Sequence, residues 1–175
     1  NTSTAVYCRD TWVTMHQVVF QDNSGGSGGG LILGDCGLNL TDAQFTGNTA
    51  DSGGGLSLSG GQAHLNRVVF DSNQAGTGGG LNAASGSLLT LTAVTFENNT
   101  GRNYGGGAYI QMPAQLNQVN FIGNSSALGG GMVGFGTGPI VITNALFAGN
   151  TANEAGGGLL SWWTRSLTVT NAVFQ

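Results

Sequence analysis

The chain has 175 residues, of which 33 are Gly, 39% are hydrophobic and only 7% are charged, and it carries a formal net charge of −4 at pH 7. Lys is absent and four Arg face eight acids, so the basic footprint for a phosphate backbone is missing and nucleic acid is excluded as a partner. No run approaches the roughly 18 apolar residues of a membrane span, and the regular placement of Val, Leu, Ile, Phe and Thr argues against disorder.

No charged-then-apolar leader opens the chain, which reads as a mature chain or an excised segment. From the N-terminus the first unit runs through Val13, Met15 and Val18 to Phe20, then Asn23, a short polar loop and a Gly triplet beginning at Gly28. The same order recurs to the C-terminus. Phe stands at 20, 45, 70, 96, 121, 147 and 174, Asn at 23, 48, 73, 99, 124 and 150, and triplets begin at Gly28, Gly53, Gly78, Gly105, Gly129 and Gly156, a period of 25 to 27 residues. A unit this short cannot bury its own apolar face and has to stack on its neighbours, as solenoid repeats do.

Within each unit, three columns ahead of the Phe are apolar. They are seven before (Val13 to Leu167), five before (Met15 to Val169) and two before (Val18 to Ala172). Polar residues such as Thr14, Asn39, His64, Thr90, Gln115 and Thr168 alternate with them, with Val141 as the exception, which is the period-2 mark of a strand with one buried face. Three before the Phe the alternation breaks at Gln17, Asp42, Arg67, Ala93, Gln118, Asn144 and Asn171, predicting a bend. A second short strand follows each triplet, its first inward residue being Leu31, Leu56, Leu81, Ala108, Met132 or Leu159. A helical repeat is excluded, because Gly costs a helix interior about 1 kcal/mol at each position. The expected fold is all-β, a parallel β-helix of about seven rungs running through residues 1–175 as one solenoid, itself a segment of a longer array or a filament subunit.

Stacked rungs place the six Asn side chains about 4.8 Å apart, so Asn23, Asn48, Asn73, Asn99, Asn124 and Asn150 are expected to form a structural amide ladder. Phe20, Phe45, Phe70, Phe96, Phe121, Phe147 and Phe174 are expected to form a stack beside it. The triplets supply positive φ and close backbone approach at a sharp corner. Phosphate cradling is disfavoured, since no Lys-Ser/Thr pair and no helix follows any triplet.

These FxxN and GGx elements resemble the repeats of the chlamydial polymorphic outer-membrane proteins, whose passenger domains carry FxxN and GGA followed by an apolar residue. The best copy is Phe96 to Asn99 followed by Gly106-Gly107-Ala108-Tyr109; in the other five a third Gly takes the place of the Ala, as around Gly54-Gly55-Leu56. The resemblance implies a right-handed β-helix at the cell surface or outside the cell, and adhesion by an autotransported passenger; no autotransporter barrel is present in these residues. In that oxidising setting, matching Ala5-Val6-Tyr7 to Leu31-Ile32-Leu33 puts Cys8 and Cys36 in the loop after the second strand, one rung apart, and predicts a disulfide.

Candidate chemistry is sparse, and the chain is not read as an enzyme or a cofactor binder. Asp71 and Glu97 occupy one column in adjacent rungs, with carboxyls on the order of 5 Å apart as in a retaining glycosidase, and are the residues for the alternative of a polysaccharide-acting enzyme. Asp10 and Asp35 share another column, Asp42 and Arg67 read as a surface ion pair, and His16 and His64 as solvated residues. Thr90 and Thr92, and Thr168 and Thr170, have the form of an ice-binding array that His64, Gln115 and Val141 interrupt. Trp12, Trp162 and Trp163 are the candidate binding residues, to stack on sugars or anchor a protein; end-capping or lateral packing of solenoids is the other reading. Gly34 to Gly37 and Trp162 to Ser166 are the variable loops expected to make contacts. Partners are a neighbouring-cell or host-cell surface protein or glycan, and a second copy of the chain stacked laterally or head to tail. In the latter case Asn1 takes the ladder place after Phe174.

Overall fold

The computed structural model describes residues 3–136 and 138–175. Asn1, the residue expected to join a ladder across two copies, lies outside them. Among the described residues there is no helix, and every pairing between named strands is parallel. The chain is a parallel β-solenoid of about seven coils in which each residue lies beside its counterpart one period later, Phe45 beside Phe70 and Phe70 beside Phe96.

Three sheets wall the coil. The strands after the Gly triplets form a seven-stranded sheet from Val6–Arg9 to Leu159–Trp162. The segments that lead to and contain the Phe form a ten-stranded sheet that includes Gly37–Thr46, Gln62–Asp71, Pro139–Ala148 and Ser166–Phe174. After the Asn a short sheet of four strands, Gln74–Thr77 to Thr151–Ala155, closes the third side, and single bridges such as Ser24 to Thr49 and Thr49 to Gln74 continue it toward the N-terminus.

Corners are made by residues in the left-handed region. The bend three before each Phe is one: Gln17, Asp42, Arg67, Ala93, Gln118, Asn144 and Asn171 all have φ between 51° and 56°. None is Gly, although an L-residue there costs roughly 1–2 kcal/mol, so the stacked strands on either side impose the conformation. A second corner lies two after the Phe, at Asp22, Gly47, Ser72, Asn98, Gly123 and Gly149. The third is the triplet, and each of its glycines has a different reason. In the middle of the solenoid Gly78 has φ +62°. A Cβ on Gly79 would meet the Thr100 carbonyl oxygen at 2.6 Å, and one on Gly80 would meet Phe96 Cδ1 at 3.0 Å and Phe70 Cβ at 3.1 Å. The triplet is therefore the wall against which the Phe stack is seated.

The seven Phe rings of this column stack with centroids 4.6 to 4.8 Å apart and planes within 7° of parallel. The spacing follows that of the strands and lies in the favourable range for aromatic pairs, each worth about 0.5–1.5 kcal/mol beyond its area burial. Around the stack the columns Leu38–Ile140, Leu40–Ile142 and Leu31–Met132 are buried through the inner coils.

Two sequence alignments need correction. Cys8 pairs with Leu33, not with Gly34, because Val6 lies beside Leu31. That shift of one residue turns Cys8 inward within its strand and leaves Tyr7 exposed, as the period of two requires. The register that puts Asp10 beside Asp35 is the one the structure adopts, and both residues sit at the corner with φ 53°. Ala108 lies beside Leu81 and Met132, and Gly105 to Gly107 is itself a complete triplet. So it is Leu or Met that stands in place of the Ala in the other copies, not a third Gly.

Candidate functional site

The core side chains are fully occupied with one another. Asn73 shows the pattern: its Nδ2 donates to Asn99 Oδ1 at 3.0 Å and to the Phe45 carbonyl at 2.9 Å, while its Oδ1 accepts from Asn48 N at 3.0 Å and Asn48 Nδ2 at 2.9 Å. Both amide hydrogens and both lone pairs are used, and Asn48, Asn73, Asn99 and Asn124 are fully buried. The arrangement continues through Asn150, whose Nδ2 donates to the Phe121 carbonyl at 2.7 Å. Cys8 and Cys36 form a disulfide across a Cα–Cα distance of 6.6 Å. These groups hold the coils and offer nothing to a ligand.

Groups free to meet one are on the outer surface. Asp71 and Glu97 are side by side in register, but Asp71 is engaged by Ser72 Oγ at 2.9 Å, and the grooves that line this surface are built from other residues. Asp42 accepts Arg67 Nε at 2.6 Å on Oδ1 and Nη2 at 2.8 Å on Oδ2, and His16 Nδ1 lies 3.4 Å from the same Oδ2. His16 therefore belongs to this corner rather than standing alone in solvent. The hydrogen bond from Arg67 holds the Asp42 carboxyl below its usual range. Thr90 and Thr92 line a shallow groove with Gln115, Asn117, Val141 and Thr143, so the flat hydroxyl array is broken as the sequence indicates.

The three Trp residues do not converge. Trp12 lies in the first strand of the ten-stranded sheet, half exposed, its indole over Gly37. Trp162 and Trp163 lie in the last coil at the other end, with ring centroids 5.7 Å apart. Their neighbours are aromatics that reading the sequence did not single out. Tyr104 and Tyr109 are 5.9 Å apart, Tyr109 and Phe135 6.1 Å, and Phe135 and Trp163 5.5 Å, while Phe135 meets Trp162 edge-on at 6.4 Å. Tyr104 ends a strand of the four-stranded sheet, and the line continues onto the seven-stranded sheet, where Tyr109, Val133 and Leu160 share one column and Phe135 and Trp162 the next but one. A signal was available: that first column reads Tyr7, Ile32, Ser57, Asn82, then turns wholly apolar or aromatic in its last three members. Burial pushes the Tyr109 phenol up from its usual value, with Tyr104 adding to the effect, so its hydroxyl stays neutral at physiological pH.

Residues 93–111, which hold the bend at Ala93, the Phe96 to Asn99 element, the triplet and Ala108, match the model of the Chlamydia polymorphic membrane protein (Chlamydia_PMP) repeat. The chain carries a repeat of that type. No curated protein and no solved structure gives a match. The matched copy is the one with Ala at the first inward position after the glycines, and the larger Leu or Met at this place sets the other copies apart. What the match describes is the buried half of a coil: Phe, Asn and Gly in their structural places.

Proposed function

We propose that this β-solenoid is an extracellular or cell-surface scaffold whose outer face mediates adhesion to a neighbouring-cell or host-cell surface. The observation that carries the reading is the aromatic track Tyr104, Tyr109, Phe135, Trp162 and Trp163, because the fold makes no use of it. In the column of Tyr109 two earlier coils carry Ser57 and Asn82, small polar residues that are nearly buried, so the sheet does not require a ring there. Trp162 and Trp163 are exposed and Tyr104, Tyr109 and Phe135 half-buried beside them, and large amphipathic rings are the residue types that dominate contact surfaces. A disulfide between Cys8 and Cys36 and the match to a membrane-protein repeat support the location. Beads coated with the folded chain are expected to adhere to cells, and to lose adhesion when Trp162 and Trp163 are both replaced by Ala. Equal adhesion of the double variant would refute this assignment.

A second reading is that copies of the solenoid stack into an open filament, favoured by the sparse surface charge, 7% charged residues with no Lys, which weakens repulsion between copies. Electron microscopy of the purified chain tests it. Fibres with an axial repeat of about 33 Å, seven rungs at roughly 4.8 Å, are expected from stacking, and a monodisperse monomer at high concentration rules it out.

A further inference from the structure

Trp163 is the least economical residue on the surface. It is 74% exposed and has φ +58°, while its neighbour one coil earlier, following Phe135 as Trp163 follows Trp162, is Gly136. Asp10, Asp35 and Gly60 hold the corresponding left-handed corner in the first coils, so the fold sets this φ, and what is particular to the last coil is a bulky indole at a place that elsewhere takes Asp or Gly. Here the corner holds an indole outward at the end of a line of rings whose steps are 5.9, 6.1 and 5.5 Å.

The side chains of the line itself carry no charge; Arg102, two residues before Tyr104, and Arg165, two after Trp163, are the nearest cations in sequence. Tyr104 and Tyr109 supply phenolic hydroxyls, and Ser161 Oγ and Thr164 Oγ1, 2.7 Å apart, flank Trp162 and Trp163. Single-stranded nucleic acid also stacks on aromatic rings, but it needs a basic groove, and this chain has no Lys and a net charge of −4. Anionic polymers meet the same obstacle. An extended peptide would add to a sheet edge; of the strands under the rings, Ala108–Ile110 and Met132–Phe135 are paired on both sides and only Leu159–Trp162 has an open edge, so edge addition would leave Tyr104 and Tyr109 unused. A ligand with apolar C–H faces to lie on rings, hydroxyls to meet hydroxyls, no charge, and a linear form to follow the track fits every one of these features. We propose that Tyr104, Tyr109, Phe135, Trp162 and Trp163 bind an uncharged glycan chain, an inference that rests on the adhesive reading above and names its partner.

The test is a printed array of neutral hexose and N-acetylhexosamine oligomers beside uronate and sulfated glycans, probed with the full chain, followed by calorimetric titration and Trp fluorescence on the best neutral hit. Saturable binding to a neutral glycan is expected, weakened on the order of tenfold by Trp163→Ala or Tyr109→Ala and unchanged by Trp12→Ala, with far-UV circular dichroism confirming the fold of each. Absence of neutral binders, preference for the anionic glycans, or undiminished binding by both Trp163→Ala and Tyr109→Ala overturns the proposal. Bead adhesion to cells with and without periodate oxidation of their glycans separates the two levels. Adhesion that survives oxidation overturns the glycan and leaves the adhesive reading standing, whereas no adhesion to untreated cells overturns the adhesive reading itself.

Discussion

Asn99→Ala removes one amide from the middle of the ladder. Asn73 N at 3.0 Å and Asn73 Nδ2 at 3.0 Å both lose their acceptor, and the Phe70 carbonyl loses a donor at 2.8 Å. Asn73 Nδ2 keeps the Phe45 carbonyl and Asn124 Oδ1 keeps the backbone N–H of residue 99, so the groups left short are chiefly the Asn73 backbone N–H and half of one amide. Asn73 and Asn99 are fully buried, so water does not replace the lost partners. At about 1–3 kcal/mol for each stranded buried group, the expected loss is about 2–5 kcal/mol. Asn150→Ala breaks the matching contacts to Asn124, but in a partly exposed place where water substitutes, and is expected to cost about 1 kcal/mol. Asn99→Asp keeps the acceptor but turns a carboxyl toward the Phe70 carbonyl and Asn124 Oδ1. Its folded pKa is raised, so its stability is greatest below the unfolded pKa of about 3.9 and falls as pH rises through the folded value. Urea titration with hydrogen exchange at the Asn73 amide measures all three. A loss below 0.5 kcal/mol for Asn99→Ala, or equal losses at Asn99 and Asn150, would refute the reasoning.

The other predictions concern the corners and the ends. Gly80→Ala forces a Cβ to within 3.0 Å of Phe96 Cδ1 and 2.8 Å of the Gly107 carbonyl and is expected to prevent native folding, while Gly26→Ala, with nothing within 4 Å, leaves the melting temperature unchanged or higher. Ala93→Gly, at φ 52°, is expected to raise stability by up to about 1 kcal/mol in urea titration, and Ala93→Val to lower it by about 1–2 kcal/mol. Reducing Cys8–Cys36, which closes a separation of 28 residues, is expected to cost about 3–4 kcal/mol by chain entropy and to deprotect the amides of Val6–Arg9 first. Arg67→Ala returns the Asp42 carboxyl toward 3.8 in an NMR titration. In the parent, the stabilisation from this contact is present above the unfolded pKa and is lost as pH falls through the depressed folded value.

What the sequence made legible is what the fold repeats. One Phe, one Asn and one triplet per period follow from stacking constraints that every coil shares, and the bend at Gln17 to Asn171 betrays itself because it interrupts an alternation. The corner two after the Phe was not read from the sequence, although its members, Asp, Gly, Ser, Asn, Gly and Gly, are types that tolerate the left-handed region. Nor was the short third sheet, since its strands are rich in Ser, Thr, Gln and Gly and carry little alternation. Surface chemistry is where legibility ends. Tyr109 and Phe135 sit in different columns and Tyr104 on another sheet, so only the register between coils brings them to Trp163. Trp12 looks the same as Trp162 in a list of aromatics, yet the stacking order places it at the far end.

Native-state hydrogen exchange tests the central claim, that coils are held by buried columns repeating every 25 to 27 residues. The amides of Asn48, Asn73, Asn99 and Asn124, each donating at 3.0 Å to the side chain of the next coil, are expected to be among the slowest in the chain. Protection is expected to recur with the period and to fall off toward the first and last coils. Protection without that period, or ladder amides exchanging as fast as the exposed corner at Trp163, would contradict it.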